Sequence, residues 1–340
     1  MRKHKVWYIP TRSHTERVFR PEVFQTMCEE FDVTINESGE NLTTAQVEEG
    51  IADYEALVTG WGTPPLSEAV FERGSGLRII AHSAGSVKHL VTREMIDAYL
   101  IPRDITIFSA NKAIAHNVAE GAIGMLIMTS RRWIEFANNF RETGTWRPKD
   151  VPTNGQYLLG STLGLVSASA VAREVIRLLQ PWDLRILCYD PHLSEDGARE
   201  LGVEKVELDE LFERSDLISV HAPKIPETTH MIGEKQLGLM RDGATLVSTS
   251  RGSVIDHDAL LREAQTGRIV VCLDVTEPEP LPPDSPFRHL KNVIIIPHQT
   301  GAGYYGYFKI GEQTLQALRD KFAGRPVFGA VDFSRWEQLA

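Results

Sequence analysis

The chain has 340 residues, 42% hydrophobic and 24% charged, with a formal net charge of -10; this describes a globular protein long enough for two domains rather than one simple core. An acidic balance without a basic stripe excludes a nucleic-acid surface, because phosphate binding needs clustered cations, and no apolar run nears the roughly 18 residues of a membrane span. Cys28, Cys188 and Cys272 sit in apolar runs with no metal-ligand spacing, so they read as reduced thiols of a cytoplasmic protein, and no metal is expected.

The basic start, Arg2 to Lys5, precedes an apolar run over 6–9 that is too short for a signal peptide and reads as part of a strand over 5–10. Apolar residues at helical spacing follow over 16–31. Strands over 32–36, 56–60, 77–83 and 105–109 then alternate with helices near 44–54, 67–73 and 92–100, which predicts one α/β unit with a parallel sheet. A long helix over 111–133 carries Ile114, Val118, Ile123, Met125, Leu126 and Met128 on an apolar face suited to a second subunit. The stretch 138–160, with Gly144, Pro148, Pro152 and Gly155, reads as a crossover loop. Strands over 162–166, 185–189, 217–221, 244–250, 270–275 and 293–296 form a second unit, and a helix over 305–322 returns to the first. The fold expected is α/β, two Rossmann-like or flavodoxin-like domains with parallel sheets and a cleft between them. Residues 1–110 and 304–340 make one domain and 111–303 the other.

The second unit opens on a pattern with chemical meaning. A strand ending at Val166 feeds a helix through Ser167-Ala168-Ser169-Ala170, and the next strand ends on Asp190, about 20 residues further on. Such a turn aims backbone N–H groups at a pyrophosphate, and a carboxylate at that distance suits ribose hydroxyls. None of the three glycines of a G-x-G-x-x-G fingerprint is present, so an ordinary βαβ unit without ligand stays open on the turn alone. Ser169 can cap the helix.

Three later strand ends carry polar groups: Thr249-Ser250-Arg251, Asp274 through Glu279, and Pro297-His298. In open α/β sheets ligands sit beyond such ends. Arg251 can hold a substrate carboxylate, His298 can give or take a proton, and Glu279 is the candidate to fix the imidazole. Singly, each has a bland alternative: a surface ion pair, a satisfied histidine, a solvated glutamate in a proline-rich turn. His221, before Ala222-Pro223, could line a nicotinamide or serve structure. His82, His89, His116 and His192 read as peripheral.

Taken together, Val118-Ala119-Glu120, Tyr189-Asp190-Pro191, Ser250-Arg251-Gly252 with Asp256, Leu273-Asp274-Val275 with Glu279, and Pro297-His298 with Gly301 resemble the motifs of the D-isomer-specific 2-hydroxyacid dehydrogenases, over nearly the whole chain. The resemblance implies that Arg251, Glu279 and His298 are catalytic, and its spacing selects Glu279 over Glu277. It implies a cofactor site of Ser169, Ala170, Val171, Asp190, His221, Ala222, Pro223, Thr249, Ser250, Arg251, Asp274, His298 and Gly301. Substrate contacts would come from Ala84 and Gly85, whose loop continues into Ser86, and from Arg251 and His298. Asp190 would repel a 2′-phosphate and no arginine follows within 191–194, so the cofactor expected is NAD. The partner implied is a small 2-keto or 2-hydroxy acid, and the assembly a homodimer. A non-catalytic dinucleotide sensor on the same scaffold is the alternative. The sequence departs from the family after Gly85, where Val87-Lys88-His89 replace acidic and amide residues.

Overall fold

A computed structural model describes residues 2–149 and 157–339, with no side chains given at 304 and 305. The alternation read from the sequence resolves into two sheets in which every pairing is parallel. Contacts divide the chain into one unit of Met1–Ile114 with Ala302–Ala340 and a second of Ala115–Gly301.

The first unit holds β1 (Lys5–Tyr8), β2 (Asp32–Ile35), β3 (Ala56–Thr59), β4 (Ile79–His82) and β5 (Thr106–Ser109) in the order β2-β1-β3-β4-β5. Strand side chains alternate between faces. Thus Tyr8, Val58 and Ala81 enter one core with Ile310 and Leu318 of the helix Tyr304–Phe322, while Trp7, Leu57 and Ile80 enter another with Val70 and Ile96. Burial on both faces accounts for the continuous apolar runs of the inner strands.

The second unit adds β6 (Thr162–Val166), β7 (Arg185–Tyr189), β8 (Glu204–Lys205), β9 (Leu217–Val220), β10 (Thr245–Ser248), β11 (Val270–Leu273) and β12 (Val293–Ile295), in the order β12-β11-β10-β9-β6-β7-β8. The order reverses between β6 and β9, and the helix Ala170–Leu179 that follows β6 buries Ala172, Val175, Ile176 and Leu179.

Three expectations need correction. The single helix over 16–31 is two, Arg12–Val18 and Pro21–Glu30, because Pro21 lacks an N–H and begins a new helix behind an extended Arg20. The helix from Asn111 stops at Ser130, since Arg132 turns left-handed (φ 54°), and a second helix, Trp133–Thr143, runs to Gly144. Residues 138–143 of the expected crossover loop are therefore helical, and 150–156 lie outside the described residues.

Candidate active site

The carboxyl ends of β6, β7, β9, β10, β11 and β12 carry the residues singled out in the second unit. After β6 the backbone must turn sharply, and Ser167 takes φ 80°, a left-handed conformation that favours glycine. Its hydroxyl donates to Asp190 Oδ2 at 3.2 Å, and the Ala168 N–H donates to the same oxygen at 2.8 Å. The His192 N–H occupies Oδ1 at 2.8 Å, so the Asp190 carboxylate is fixed at the tip of β7. Ser169 caps the helix, its Oγ accepting the Ala172 N–H at 3.4 Å.

His221 follows β9 and is buried, with Nε2 2.9 Å from Ser219 Oγ and Nδ1 3.0 Å from Thr249 Oγ1. Burial pushes it down to about 3, so it is neutral, and both ring nitrogens are taken within the protein. It braces the ends of β9 and β10 and has no nitrogen left for a ligand. Ala222 is buried beside it, its carbonyl accepting the Ser250 hydroxyl, while Pro223 and Thr249 are half-buried.

After β10, Arg251 is exposed and its Nη1 donates to the Ser250 carbonyl at 2.8 Å; it meets no carboxylate among the described residues. Its neighbour must be glycine. A Cβ on Gly252 would stand 2.2 Å from the Thr276 carbonyl oxygen, a backbone atom that cannot swing away, so the arginine turn lies directly against the segment that follows β11.

That segment separates the two glutamates. Glu277 lies 3.4 Å from His230 Nε2, whereas Glu279 Oε1 lies 2.6 Å from His298 Nδ1. His298, at φ 52°, is held by its N–H on the Asp274 carbonyl at 2.8 Å. The Asp274 side chain then accepts the N–H groups of Gln299 and Thr300, each at 2.8 Å, which sets the loop after β12. The loop's far end touches the helix Asn111–Ser130, through Thr300 on Met125 and Asn117 on the Gly301 carbonyl. With Glu279 accepting at Nδ1, the proton sits there, and Nε2 has no partner among the described residues on a half-exposed ring. The structure thus joins His298 to Glu279 and leaves Arg251 outside that pair.

In the first unit Ala84 is buried and Gly85 half-buried, in a loop whose base is bonded through Ser109 Oγ to the Gly85 carbonyl at 2.6 Å. Sequence reasoning missed what lies under it. His82 is not peripheral: it is buried, bonded to Thr59 Oγ1 at 2.8 Å, and pushed down to about 3, first by burial and then by His89 and His14. His14, which no motif marked, reaches Ser83 Oγ at 2.8 Å. His116 is also engaged, 2.6 Å from Glu174, and Glu174 is drawn down to about 2, chiefly by Arg177. The one available signal was positional, and only for His82, which closes β4.

A dinucleotide needs donors for its pyrophosphate and an acceptor for its ribose. The turn offers only small side chains, a capped helix start whose N–H groups at Ser169, Ala170 and Val171 have no acceptor among the described residues, and a fixed carboxylate at Asp190. These residues fit NAD. Fold and turn together define a dinucleotide-binding α/β protein.

The comparisons name the family. Residues 123–300 match the NAD-binding domain of the D-isomer specific 2-hydroxyacid dehydrogenases. The chain is 36% identical to a glyoxylate reductase of Korarchaeum cryptofilum, over 79% of this chain and 80% of that one. It is 32% identical to a hydroxypyruvate reductase of Thermotoga maritima, over 86% and 87%. A crystal structure of a phosphoglycerate oxidoreductase from Rhizobium etli superposes with a TM-score of 0.81 at 25% identity, covering 97% of this chain and 98% of that one. The chain belongs to the D-isomer-specific 2-hydroxyacid dehydrogenases and is an NAD-dependent enzyme of that family.

Proposed function

We propose that this enzyme interconverts a small 2-keto acid and its D-2-hydroxy acid, with His298 as the proton donor and acceptor. The observation that carries the reading is the 2.6 Å contact of Glu279 with His298 Nδ1, which leaves Nε2 without a partner among the described residues. NAD, when bound, supplies or accepts the hydride at the carbon that becomes the alcohol. His298 Nε2 gives a proton to the keto oxygen as the hydride arrives and takes it back in the reverse direction, so each turnover moves one hydride and one proton. Glu279 holds the ring in the required tautomer and stabilises its charged form. Arg251, which meets no carboxylate among the described residues, pairs the substrate carboxylate and leans on the keto oxygen. The N–H groups of Ala84 and Gly85 hold the same carboxylate. Asp190 accepts the ribose hydroxyls, and Ser169, Ala170, Val171, Ala222, Pro223, Thr249, Ser250, Asp274 and Gly301 shape the cofactor's bed. Glyoxylate and hydroxypyruvate, which appear in the names of relatives, are the first substrates to try.

We also assign a homodimer, supported by the exposed Trp133, Phe140 and Leu159 around the helices that join the two units, and a cytoplasmic location, supported by three free cysteines of which Cys188 and Cys272 are buried. Among the described residues no helix is long and apolar enough to cross a membrane.

The test is NADH and NADPH titration followed by fluorescence, then absorbance at the nicotinamide band with each acid added. NADH oxidation by one of them is expected. NADH binding without turnover on any keto acid would remove the reaction. In Asp190→Ala the preference for NADH over NADPH should fall, and an unchanged preference would remove Asp190 as the ribose contact.

A further inference from the structure

The first sheet reverses its strand order between β1 and β3, and open α/β sheets hold ligands at such a reversal. The side chains gathered there have no task in the reaction above. β1 runs into the helix Arg12–Val18, which sets His14 and Arg17 three residues apart on neighbouring turns. β3 runs into Gly60 and Trp61, and β4 into Ser83, the residue that begins the loop of Ala84 and Gly85.

His14 is 5% exposed and lies flat on Gly60, where a Cβ would meet the ring at 2.5 Å. Ser83 Oγ donates to the Thr59 carbonyl at 2.6 Å, so it accepts from His14 Nε2 at 2.8 Å. That fixes the tautomer and leaves Nδ1 a bare acceptor, buried and with no partner among the described residues. Trp61, 38% exposed, meets the His14 ring edge-on at 5.1 Å and Tyr307 at 5.6 Å. The Arg17 guanidinium stands 6.0 Å from the Trp61 ring centroid and meets no carboxylate among the described residues, since the adjoining Glu16 is taken by Arg12 at 2.8 Å. A cavity of about 410 Å³ opens among Glu16, Arg17, Ala302, Gly303 and Tyr307. A second cavity, about 400 Å³ between Arg2–Lys5 and Tyr54–Glu55, lies at the amino ends of β1 and β3, the ends that such sheets do not use.

We propose that the cavity lined by Arg17 and Tyr307 takes the far end of the substrate and that this end is anionic, so the substrate is a 2-keto acid with a second carboxylate or a phosphate group. The proposal rests on the reading that Ala84 and Gly85 hold the acid's own carboxylate, because Ser83, bonded to His14, ties that loop to the pocket. Glyoxylate carries only a hydrogen beyond its keto carbon and would leave both the cavity and the arginine unused. A second carboxylate or a phosphate offers Arg17 a two-pronged partner, whereas an uncharged chain of the same length would desolvate the guanidinium without replacing its hydrogen bonds. The Tyr307 ring, with Trp61 packed against it, walls the carbon chain.

The test is steady-state reduction by NADH of glyoxylate, 2-oxopentanoate, 2-oxoglutarate and phosphonooxypyruvate, by the native chain and by Arg17→Met and Arg17→Lys, with folding of each variant checked by thermal melting. The native enzyme should favour an anionic acid over 2-oxopentanoate by about 10- to 100-fold in kcat/KM, the range of a hydrogen bond to a charged group. Whichever of 2-oxoglutarate and phosphonooxypyruvate is reduced faster tells carboxylate from phosphate. In Arg17→Met the ratio should fall toward one, and Arg17→Lys should restore part of it. Equal or faster reduction of 2-oxopentanoate, or a ratio that Arg17→Met leaves intact, would overturn the proposal. If no acid is reduced, the proposed reaction fails by itself. The pocket is then read by calorimetric titration with 2-oxoglutarate against 2-oxopentanoate, where equal binding or none overturns it and a preference lost in Arg17→Met upholds it.

Discussion

Each sheet reverses its strand order once, and each carries histidines near the carboxyl ends of its strands, yet the two sets are built for opposite ends. In the second unit His298 is 53% exposed, one nitrogen on a carboxylate and the other open. In the first unit His14 and His82 are 5% and 1% exposed, bonded to hydroxyls, and pushed down to about 4 and about 3 by burial before any neighbouring charge. An exposed imidazole on a carboxylate can trade a proton with a ligand. A buried one on hydroxyls stays neutral and acts as a brace, as does His221 beneath the second unit's own strand ends. Residue type is the same in both, and surroundings decide the work.

The comparison breaks most directly at His298. His298→Ala should lower kcat by about 10²- to 10⁴-fold, the usual worth of a positioned acid–base group, with NADH affinity measured by fluorescence nearly intact. Near-normal turnover would take His298 out of the mechanism. Next in size is Gly252→Ala, whose Cβ must push the Thr276 carbonyl from 2.2 Å. Overpacking against backbone costs about 3 kcal/mol, and a melting temperature within a degree of the native value would show that the arginine turn has room to yield.

The braces make a pH prediction of the opposite kind. Because the native state holds His14 and His82 neutral, the unfolded chain binds protons that the folded one refuses once pH falls below about 6.5. Stability from these groups is therefore full above that pH and declines as pH falls toward their native values of about 4 and about 3, by about 2 kcal/mol for each at pH 5. In His14→Gln, which keeps a donor for Ser83 but cannot titrate, melting temperature should drop less between pH 7 and pH 5 than in the native chain. A parallel drop would mean that His14 is charged or solvated. The smallest effect belongs to the turn after β6. Ser167→Gly removes a left-handed non-glycine at φ 80°, a relief of about 1 kcal/mol, but also the 3.2 Å hydroxyl contact with Asp190. A modest rise in melting temperature with NADH affinity held or improved is expected, and a fall would show that the hydroxyl outweighs the strain.

Much of the first domain and the strand ends of the second were legible because both are written locally. Apolar runs bounded by turn residues announce buried parallel strands, and the groups that follow them announce where ligands meet an open sheet. Asp190, Arg251, Asp274, Glu279 and His298 all stand just beyond a strand for that reason. Helix ends were less legible: Pro21 and Arg132 each break a run whose periodicity continues across the break, and only backbone geometry shows the interruption.

By itself the sequence determined two α/β units, the order of their strands along the chain and the residues that could do chemistry, since each depends on neighbours a few positions away. Tertiary structure decided the rest. His14 and Ser83 are 69 residues apart, and no periodicity reports a contact at such range. The left-handed Ser167 was equally hidden, because a residue's φ at a tight turn is set by the strand and helix that it must join. Which histidine is buried and which is exposed followed from packing alone, and that difference separates a neutral brace from an imidazole that a ligand can reach.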